Sequence, residues 1–331
     1  MDFPDGSLVV AVAGEAITDL VPAGEEGLFR AAPGGSPANV AVGLARLAVP
    51  VRMLARLSSD VLGRRLREHL ETNGVDLSHV VDAAEPSSLA IVVLQPDGSA
   101  DYDFRVDGTA DWQWTDDELR DALHGVHALH VGSLALTTPP GGSVLRRLAA
   151  RAGATATVSF DPNVRQLLMG TPEEVMAVVD EMLGIADVVK ASVEDVEWLA
   201  PGRSPGEVAA EWMSRGPSLV VVTRGGDGAL AVGRSSGAVD RPGLAVDVVD
   251  TVGAGDSFMG ALVAGLRRRD LLGSDRRDAL GALDADTVGP LLDEAVAVSA
   301  VTCSRRGADP PTAAEMHAMR GTPGARRGQG I

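Results

Sequence analysis

The sequence is short of aromatic residues, cysteine, lysine and positive charge, and each shortage narrows what the chain can be. Phe, Trp and Tyr make up 3% of its 331 residues against 45% hydrophobic overall, so the core has to be built from Ala, Val and Leu. The one cysteine, Cys303, has no partner for an intrachain disulfide. That suits a reducing, cytoplasmic setting, and Cys303 reads as a small hydrophobe rather than a nucleophile. Lys190 is the only lysine, and the absence of any G-x-x-x-x-G-K-[ST] stretch excludes a P-loop nucleotide site. No apolar run reaches the roughly 18 residues of a membrane span, and MDFPDGSLVV has no basic, signal-like start. With 29 basic and 46 acidic residues the net charge is −17. Nucleic acid is therefore disfavoured as a partner, and an anionic substrate would need a local cation or a metal. His124, His127 and His130 cluster loosely, without a spacing that one helix or strand could focus on a metal.

What is present is a rhythm. Short apolar runs alternate with amphipathic segments, which predicts an α/β fold: a Rossmann-like, mainly parallel sheet flanked by helices. LVVAVAG (8–14) reads as the first buried strand, and a helix follows from about Ser36, the candidate N-cap. VRMLARL (51–57) reads as a strand, and Asp60 then caps a helix that ends at Asn73-Gly74. ALHVGSLAL, ATVSFDP, ADVVKAS, SLVVVTRG and LAVDVV (244–249) have strand character, with functional loops expected at strand C-terminal ends. Two segments break the pattern: 14–35, around a Gly24-Glu25-Glu26-Gly27 turn, and 87–108, a β-hairpin about Pro96-Asp97-Gly98. Together, residues of about 15–33 and 87–110 are expected to form a small β-sheet lid on a single domain spanning 1–320. The Gly/Arg-rich tail 321–331 has nothing to bury and is expected to be disordered. An apolar outer face on the lid would allow two subunits to pair as a homodimer.

The chemistry concentrates in DTVGAGDSFMGALVAGL (250–266). A helix N-terminus gathers unpaired N–H groups and a partial positive charge. Gly253 and Gly255 around Ala254 let bare backbone amides converge into an anion nest. Asp256 would serve as an ordinary helix cap but for those glycines, which a cap does not require. A carboxylate beside such a nest can accept a hydroxyl proton while the amides stabilise a transferring phosphoryl group. Near the N-terminus, Pro33-Gly34-Gly35 marks a close-approach turn, and Asn39 sits on the first turn of the next helix, where an amide can donate to and accept from a polyol. Asp19 is either a bare surface acid or a bidentate acceptor for two hydroxyls. DPNVR (161–165) puts Asn163 and Arg165 in one loop; Arg165 suits a phosphate, a substrate hydroxyl or an ion pair with the aspartate.

The Gly-Gly-x-x-x-Asn segment and DTVGAGDSF resemble, in order and separation, the two signatures of the ribokinase-like (PfkB) carbohydrate kinases, and the likeness extends from GEAITDL to SRRGADPPTAAE. The resemblance implies ATP-dependent transfer of the γ-phosphoryl group to a sugar hydroxymethyl oxygen. Asp256 would be the base, and Gly253, Ala254 and Gly255 the anion hole. Asp19, Gly34, Gly35, Asn39, Asn163 and Arg165 would hold the sugar. KASVEDVEWL resembles the segment that reads Asn-x-x-Glu in the family and organises Mg²⁺ through water. Here Ser192 and the shorter Asp195 take those places, with Lys190 beside them at the nucleotide and Glu194 as the alternative acid. VTRGGDGAL resembles the nucleotide loop, with Thr223, Gly225 and Gly228 close to the phosphates and Arg224 at the β/γ end, although the same turn is a routine hairpin connection. Asp250 and Thr251 would flank a monovalent cation, K⁺, whose C-terminal ligands match less clearly.

Within the family, SPANVAVGLARL, FRVDGTADWQW and DPNVR look most like the fructokinase branch, with Arg105 of the lid hairpin expected to face the substrate. A 2-keto-3-deoxygluconate kinase or a ribokinase is the next alternative. A catalytically silent sugar- or nucleotide-binding regulator would be expected to have lost the base or the glycines, and both are here. A dinucleotide-binding oxidoreductase is disfavoured because Gly14 is followed by Glu-Ala-Ile instead of G-x-G-x-x-G.

Overall fold

A computed structural model describes residues 8–24, 27–94 and 100–321. The Glu25-Glu26 part of the first turn, the Pro96-Asp97-Gly98 turn and, Gly321 apart, the 321–331 tail lie outside the described residues. The chain starts with β1 (Val9–Ala13), leaves for β2 (Ile17–Pro22) and β3 (Phe29–Gly34), and returns into α1 (Ser36–Arg46). β4 (Val51–Leu54), β5 (Arg56–Ser58), α2 (Val61–Thr72) and β6 (Val81–Ala83) precede a second excursion, β7 (Leu89–Leu94) and β8 (Ala100–Arg105). Strands and helices then alternate through β9 (Val126–Gly132), α3 (Gly141–Ala152), β10 (Thr157–Asp161), α4 (Pro172–Leu183), β11 (Val188–Ser192), α5 (Val193–Leu199), α6 (Pro205–Ser214) and β12 (Leu219–Thr223). The pair β13 (Ala229–Gly233) and β14 (Gly237–Arg241) is followed by α7 (Ala254–Arg268), α8 (Arg277–Gly281), α9 (Ala285–Cys303) and α10 (Ala313–Gly321).

Eight strands make one sheet in the order β14-β13-β12-β11-β10-β9-β1-β4. It is parallel from β4 to β12 and antiparallel at the β12-β13-β14 edge. Every residue of β1 is buried, because helices cover both faces and a two-sided strand has no polar side to show. Val10 and Val12 enter a core with α1, α7 and α9, whereas Ala11 and Ala13 enter one with α3 and α4. The α/β architecture expected from the alternation is therefore observed.

Several local expectations change. VRMLARL is divided between β4 in the main sheet and β5, which pairs with β6. ALHVGSLAL is strand only to Gly132 and then a 3₁₀ turn over Ser133–Leu136. LAVDVV is not a strand: β14 ends at Arg241, and the N–H groups of Val249 and Asp250 bond to the carbonyl of Cys303 in place of a ladder partner. Ser36 is not the N-cap of α1, a position taken by Gly35 at φ 97°. Asp60 does cap α2, accepting the N–H of Gly63 at 2.8 Å.

The two excursions form a separate four-stranded sheet in the order β3-β2-β7-β8. One buried carboxylate ties its base to the main body. Asp111 accepts the Ala16 N–H at 2.9 Å and the Ser88 hydroxyl at 2.6 Å, and Ser88 in turn meets the Thr109 hydroxyl at 2.5 Å. Residues 16, 88 and 109–111 belong to three of the strands of chain that cross between the sheets. Asp111→Ala would strand a buried N–H and a buried hydroxyl, each costing about 1–3 kcal/mol. Urea unfolding is therefore expected to show a loss of about 2–4 kcal/mol, with Asp111→Asn recovering much of it because an amide oxygen still accepts.

Candidate active site

The helix α7 opens at Gly253, which holds φ 75° in the left-handed region. A side chain there would be strained, and its Cβ would also lie 2.6 Å from that of Ala308. The turn aims the first amides of α7 into open space. The Ala254 N–H is taken by the Thr251 carbonyl at 3.2 Å, while those of Gly255 and Asp256 have no partner among the described residues. These are the orphan donors of a helix N-terminus, left free where an anion can meet them.

Asp256 follows in the same turn, 8% exposed. Its Oδ1 accepts the Ser36 hydroxyl at 2.6 Å and its Oδ2 the Asn39 amide at 2.8 Å. A carboxylate has about four acceptor sites, so two remain for a substrate proton. The expectation that Asn39 serves a polyol directly is thus joined by a second role, since its Nδ2 orients the acid. Ser36, first read as a cap, does the same.

A cavity of about 890 Å³ surrounds this point, within the range of small-molecule sites. One end lies under the small sheet, lined by Ile17, Asp19, Ala90, Phe104, Asn163 and Arg165. Asp19 is pushed up to about 6 by burial, with the Arg165 charge opposing and the Asp256 charge adding. Asn163 sits at φ 40°, a conformation seldom adopted without a reason. Its Oδ1 is held by Arg165 at 2.7 Å, and its buried Nδ2 has no partner among the described residues. Arg165 makes no pair with Asp161, which binds Lys190 instead at 2.8 Å. Gly34 lies behind this wall, and a side chain on it would overlap the Asp19 carboxylate.

The other end opens between the β12–β13 turn, the segment 243–248 and one face of α9. Thr223, Gly225 and Gly228 line it. Leu244, Val246 and Val248 face Val296 and Ala300 across an apolar slot that sequence reasoning missed, having assigned LAVDVV to a strand.

Four further expected residues lie off the cavity wall. Arg105 is exposed and pairs with Asp103. The register sets Ala90 against Phe104, and both line the cavity, so Arg105, one residue on, must face outward. Arg224 pairs with Asp240 at 2.8 Å and stays off the cavity wall. Asp195 accepts the Val164 and Ser192 N–H groups at 2.8 and 2.7 Å, so both of its oxygens serve backbone. Glu194, not Asp195, lines the cavity, as does Ser192. Asp250 likewise accepts the N–H groups of Gly307 and Val252, leaving Thr251 at the wall.

Two open ends, one with polar and charged side chains and one apolar, meet at a set of free backbone N–H groups beside an oriented acid. That defines an α/β phosphotransferase acting on a small alcohol. The chain belongs to the pfkB family of carbohydrate kinases, whose profile it matches over residues 8–314; it is a sugar kinase. It is 35% identical over 268 residues to the fructokinase of Rhizobium leguminosarum bv. trifolii, covering 80% of this chain and 81% of the relative. Among solved structures it is similar to fructokinase with bound ATP from Xylella fastidiosa, at a TM-score of 0.85 and 27% identity, over 94% of this chain and 97% of that one. Fructokinase from Vibrio cholerae O395 in its fructose, ADP and calcium ion bound form gives a TM-score of 0.78 at 31% identity, over 95% and 99%.

One further acid on the cavity wall was not singled out from the sequence. Glu15, 2% exposed, accepts the Ala135 N–H at 3.2 Å, and burial pushes it from 4.5 up to about 7, against its hydrogen bond to Ser133. The folded state holds this proton more tightly than the unfolded chain does. Its contribution is therefore complete below about pH 4.5 and lost as pH rises through about 7. Glu15→Gln should match the parent in stability near pH 5 and exceed it at pH 8, by at most about 3 kcal/mol, when urea unfolding is compared at the two pH values.

Proposed function

We propose that the protein phosphorylates fructose, with ATP as donor. The observation that carries this reading is the position of Asp256, held by Ser36 and Asn39 at the point where the two ends of the cavity meet. Asp19, Asn163 and Arg165 supply charged and amide groups to a polyol, while Ile17, Ala90 and Phe104 cover its carbon face. The apolar slot by α9 suits a planar base, and the β12–β13 turn brings backbone amides toward a polyphosphate. Curated relatives named fructokinase, and a solved one with fructose and ADP bound, favour fructose over other sugars. The removal of Arg105 from the cavity weakens the case for a second cation on the sugar, leaving Arg165 alone at that end.

In this reading the sugar hydroxymethyl group donates its proton to Asp256 as its oxygen bonds to the γ-phosphorus, while the bond from that phosphorus to the β–γ bridging oxygen breaks and its electron pair leaves with ADP. The free N–H groups of Gly255 and Asp256 face the charge on the moving group. The donor set fits Mg²⁺ in its chemistry: the oxygen-bearing side chains of Ser192 and Glu194 line the cavity, and hard cations take oxygen ligands. Mg²⁺ characteristically keeps water and is bound largely through substrate phosphates. Glu194 and Ser192 are the side chains placed to hold its waters, and the ion would neutralise phosphate charge. For K⁺, Thr251 is the side chain that remains at the wall. Closure of the small sheet over the sugar would exclude water.

A screen of ADP release over fructose, 2-keto-3-deoxygluconate, ribose and adenosine tests the assignment. Fructose is expected to give the highest kcat/KM, and Asp256→Asn to lose at least about 10²-fold in kcat while folding normally. Turnover surviving in that variant, or a wild-type protein idle with every acceptor, would refute the reading.

We also propose a homodimer through the outer face of the small sheet. By strand register Leu20, Phe29, Ala31, Ile91 and Val93 share that face, and Phe29 and Val93 are 49% and 44% exposed. Sedimentation should show a dimer that Phe29→Asp with Val93→Asp converts to a monomer; an unaltered mass in the double variant would place the contact elsewhere.

A further inference from the structure

In the phosphotransfer reading Asp19 serves the polyol, Glu194 the waters of the metal and Asp256 the hydroxyl proton. Glu15 is the acid on the cavity wall that this leaves without a task. It lies where β1 leaves the main sheet for β2, and several walls of the site meet around it. A Cβ on Gly14 would stand 2.4 Å from Pro37 Cγ and 3.2 Å from Ala135 Cβ. A Cβ on Gly35 would stand 2.7 Å from the Glu15 carbonyl oxygen, so the backbone of Glu15 supports the turn that leads into Ser36 and Asn39. Its carboxyl reaches the 3₁₀ turn after β9. There Oε2 accepts the Ala135 N–H at 3.2 Å, and the Ser133 side chain is a second hydrogen-bond partner.

That turn is held under constraint. Among the described residues four that are not glycine have a positive φ, and two of them, Ser133 at 57° and Asn163, line the cavity. A serine persists in that conformation where its surroundings impose it. Gly132, just before it, packs on the Asp161 carbonyl, which a Cβ would approach to 2.1 Å. The turn is thus fixed against the loop of Asn163 and Arg165 on one side and against Glu15 on the other. The charged groups that face Glu15 are Asp111 and Arg165; β1, the Ser133–Leu136 turn and the Gly35–Ala38 segment carry none. Burial outweighs the Arg165 charge, and the carboxyl is pushed up to about 7.

We propose that Glu15 is a positioning residue for the acceptor sugar, its carboxyl fixing the Ser133–Leu134 wall and setting which way the Ser133 hydroxyl turns. The proposal rests on the phosphotransfer reading and deepens its account of the sugar end. A hydroxyl has one donor and two acceptor sites, and a neutral carboxyl can donate as well as accept. Neutral Glu15 donates to Ser133 Oγ, and the Ser133 proton turns into the cavity as a donor for a sugar oxygen. Ionised Glu15 accepts from Ser133 and takes that donor away. It also adds a negative charge to an end that already holds Asp19 and has Arg165 as its cation. The sugar is then held less tightly, while the junction of Asp256, Ser36 and Asn39 keeps its geometry. The consequence is a higher KM at an unchanged kcat. The neutral form prevails below about pH 7 and is lost above it, so the loss of affinity falls on the alkaline side.

The test measures KM and kcat at saturating ATP and Mg²⁺ for the full-length parent, Glu15→Gln and Glu15→Ala, with melting curves to confirm folding. The acceptor is the sugar of highest kcat/KM, expected to be fructose. The two conditions are about pH 6.5 and about pH 8.5, a range in which Asp19, pushed up to about 6, is mostly ionised. The parent is expected to raise its KM by about 5–25-fold from the lower to the higher pH, with kcat changing by less than about threefold. Glu15→Gln keeps an acceptor for Ala135 and a donor for Ser133 without a charge. Its KM should stay within about threefold of the low-pH parent value at both pH values. Glu15→Ala should raise KM by about tenfold at both. Equal pH dependence of KM in the parent and in Glu15→Gln overturns the proposal, as does a parent KM that is the same at both pH values. A parent that turns over no acceptor at either pH counts against the phosphotransfer reading instead, so the two failures are told apart.

Discussion

Asp256 is held by hydrogen bonds from Ser36 and Asn39, residues 220 and 217 positions away in the chain, and the functional geometry depends on that junction. It joins the first turns of α1 and α7, two helices whose N-termini both face the cavity. Each terminus contributes unpaired donors and a partial positive charge. The direction of a carboxylate at their meeting point is set from both sides. The main sheet makes this possible by delivering both helices to the C-terminal edge of its strands, where parallel α/β sheets collect their ligands.

Around that junction the structure separates three tasks. Backbone amides at Gly255 and Asp256 offer fixed dipoles that need no reorganisation when charge arrives. Side chains of the small sheet and of the 161–165 loop enclose one end, where Asn163 holds φ 40° and its Oδ1 accepts from Arg165. Apolar residues of 244–248 and α9 form a slot at the far end. The small sheet is tied to the body through Asp111, a buried carboxylate whose partners lie on separate crossings.

Much of this was legible from residue types and spacing. The glycines beside Asp256, the Gly-Gly turn before Asn39 and the alternation of strand and helix each follow from local rules. The errors were equally local in origin. Arg105 was assigned to the substrate because it lies in the right hairpin, but a strand alternates its faces, and a shift of one residue reverses the answer. Asp195 was chosen over Glu194 by motif position, whereas it is Glu194 that lines the cavity and Asp195 that turns to the backbone N–H groups of Val164 and Ser192. LAVDVV has the composition of a strand yet finds its hydrogen bonds at Cys303, on a helix end remote in sequence.

The amino-acid sequence by itself determined which groups are available: an amide cradle that only glycine can open, one acid next to it, one lysine, and a set of apolar runs suited to a sheet covered on both sides. These are properties of single residues and near neighbours, fixed by sterics and periodicity. Tertiary structure alone decided which groups meet. It brought Ser36 to Asp256, put Lys190 beneath Gly255, turned Arg105 outward and drove Glu15 toward neutrality, because desolvation and hydrogen-bond partnership depend on residues distant along the chain.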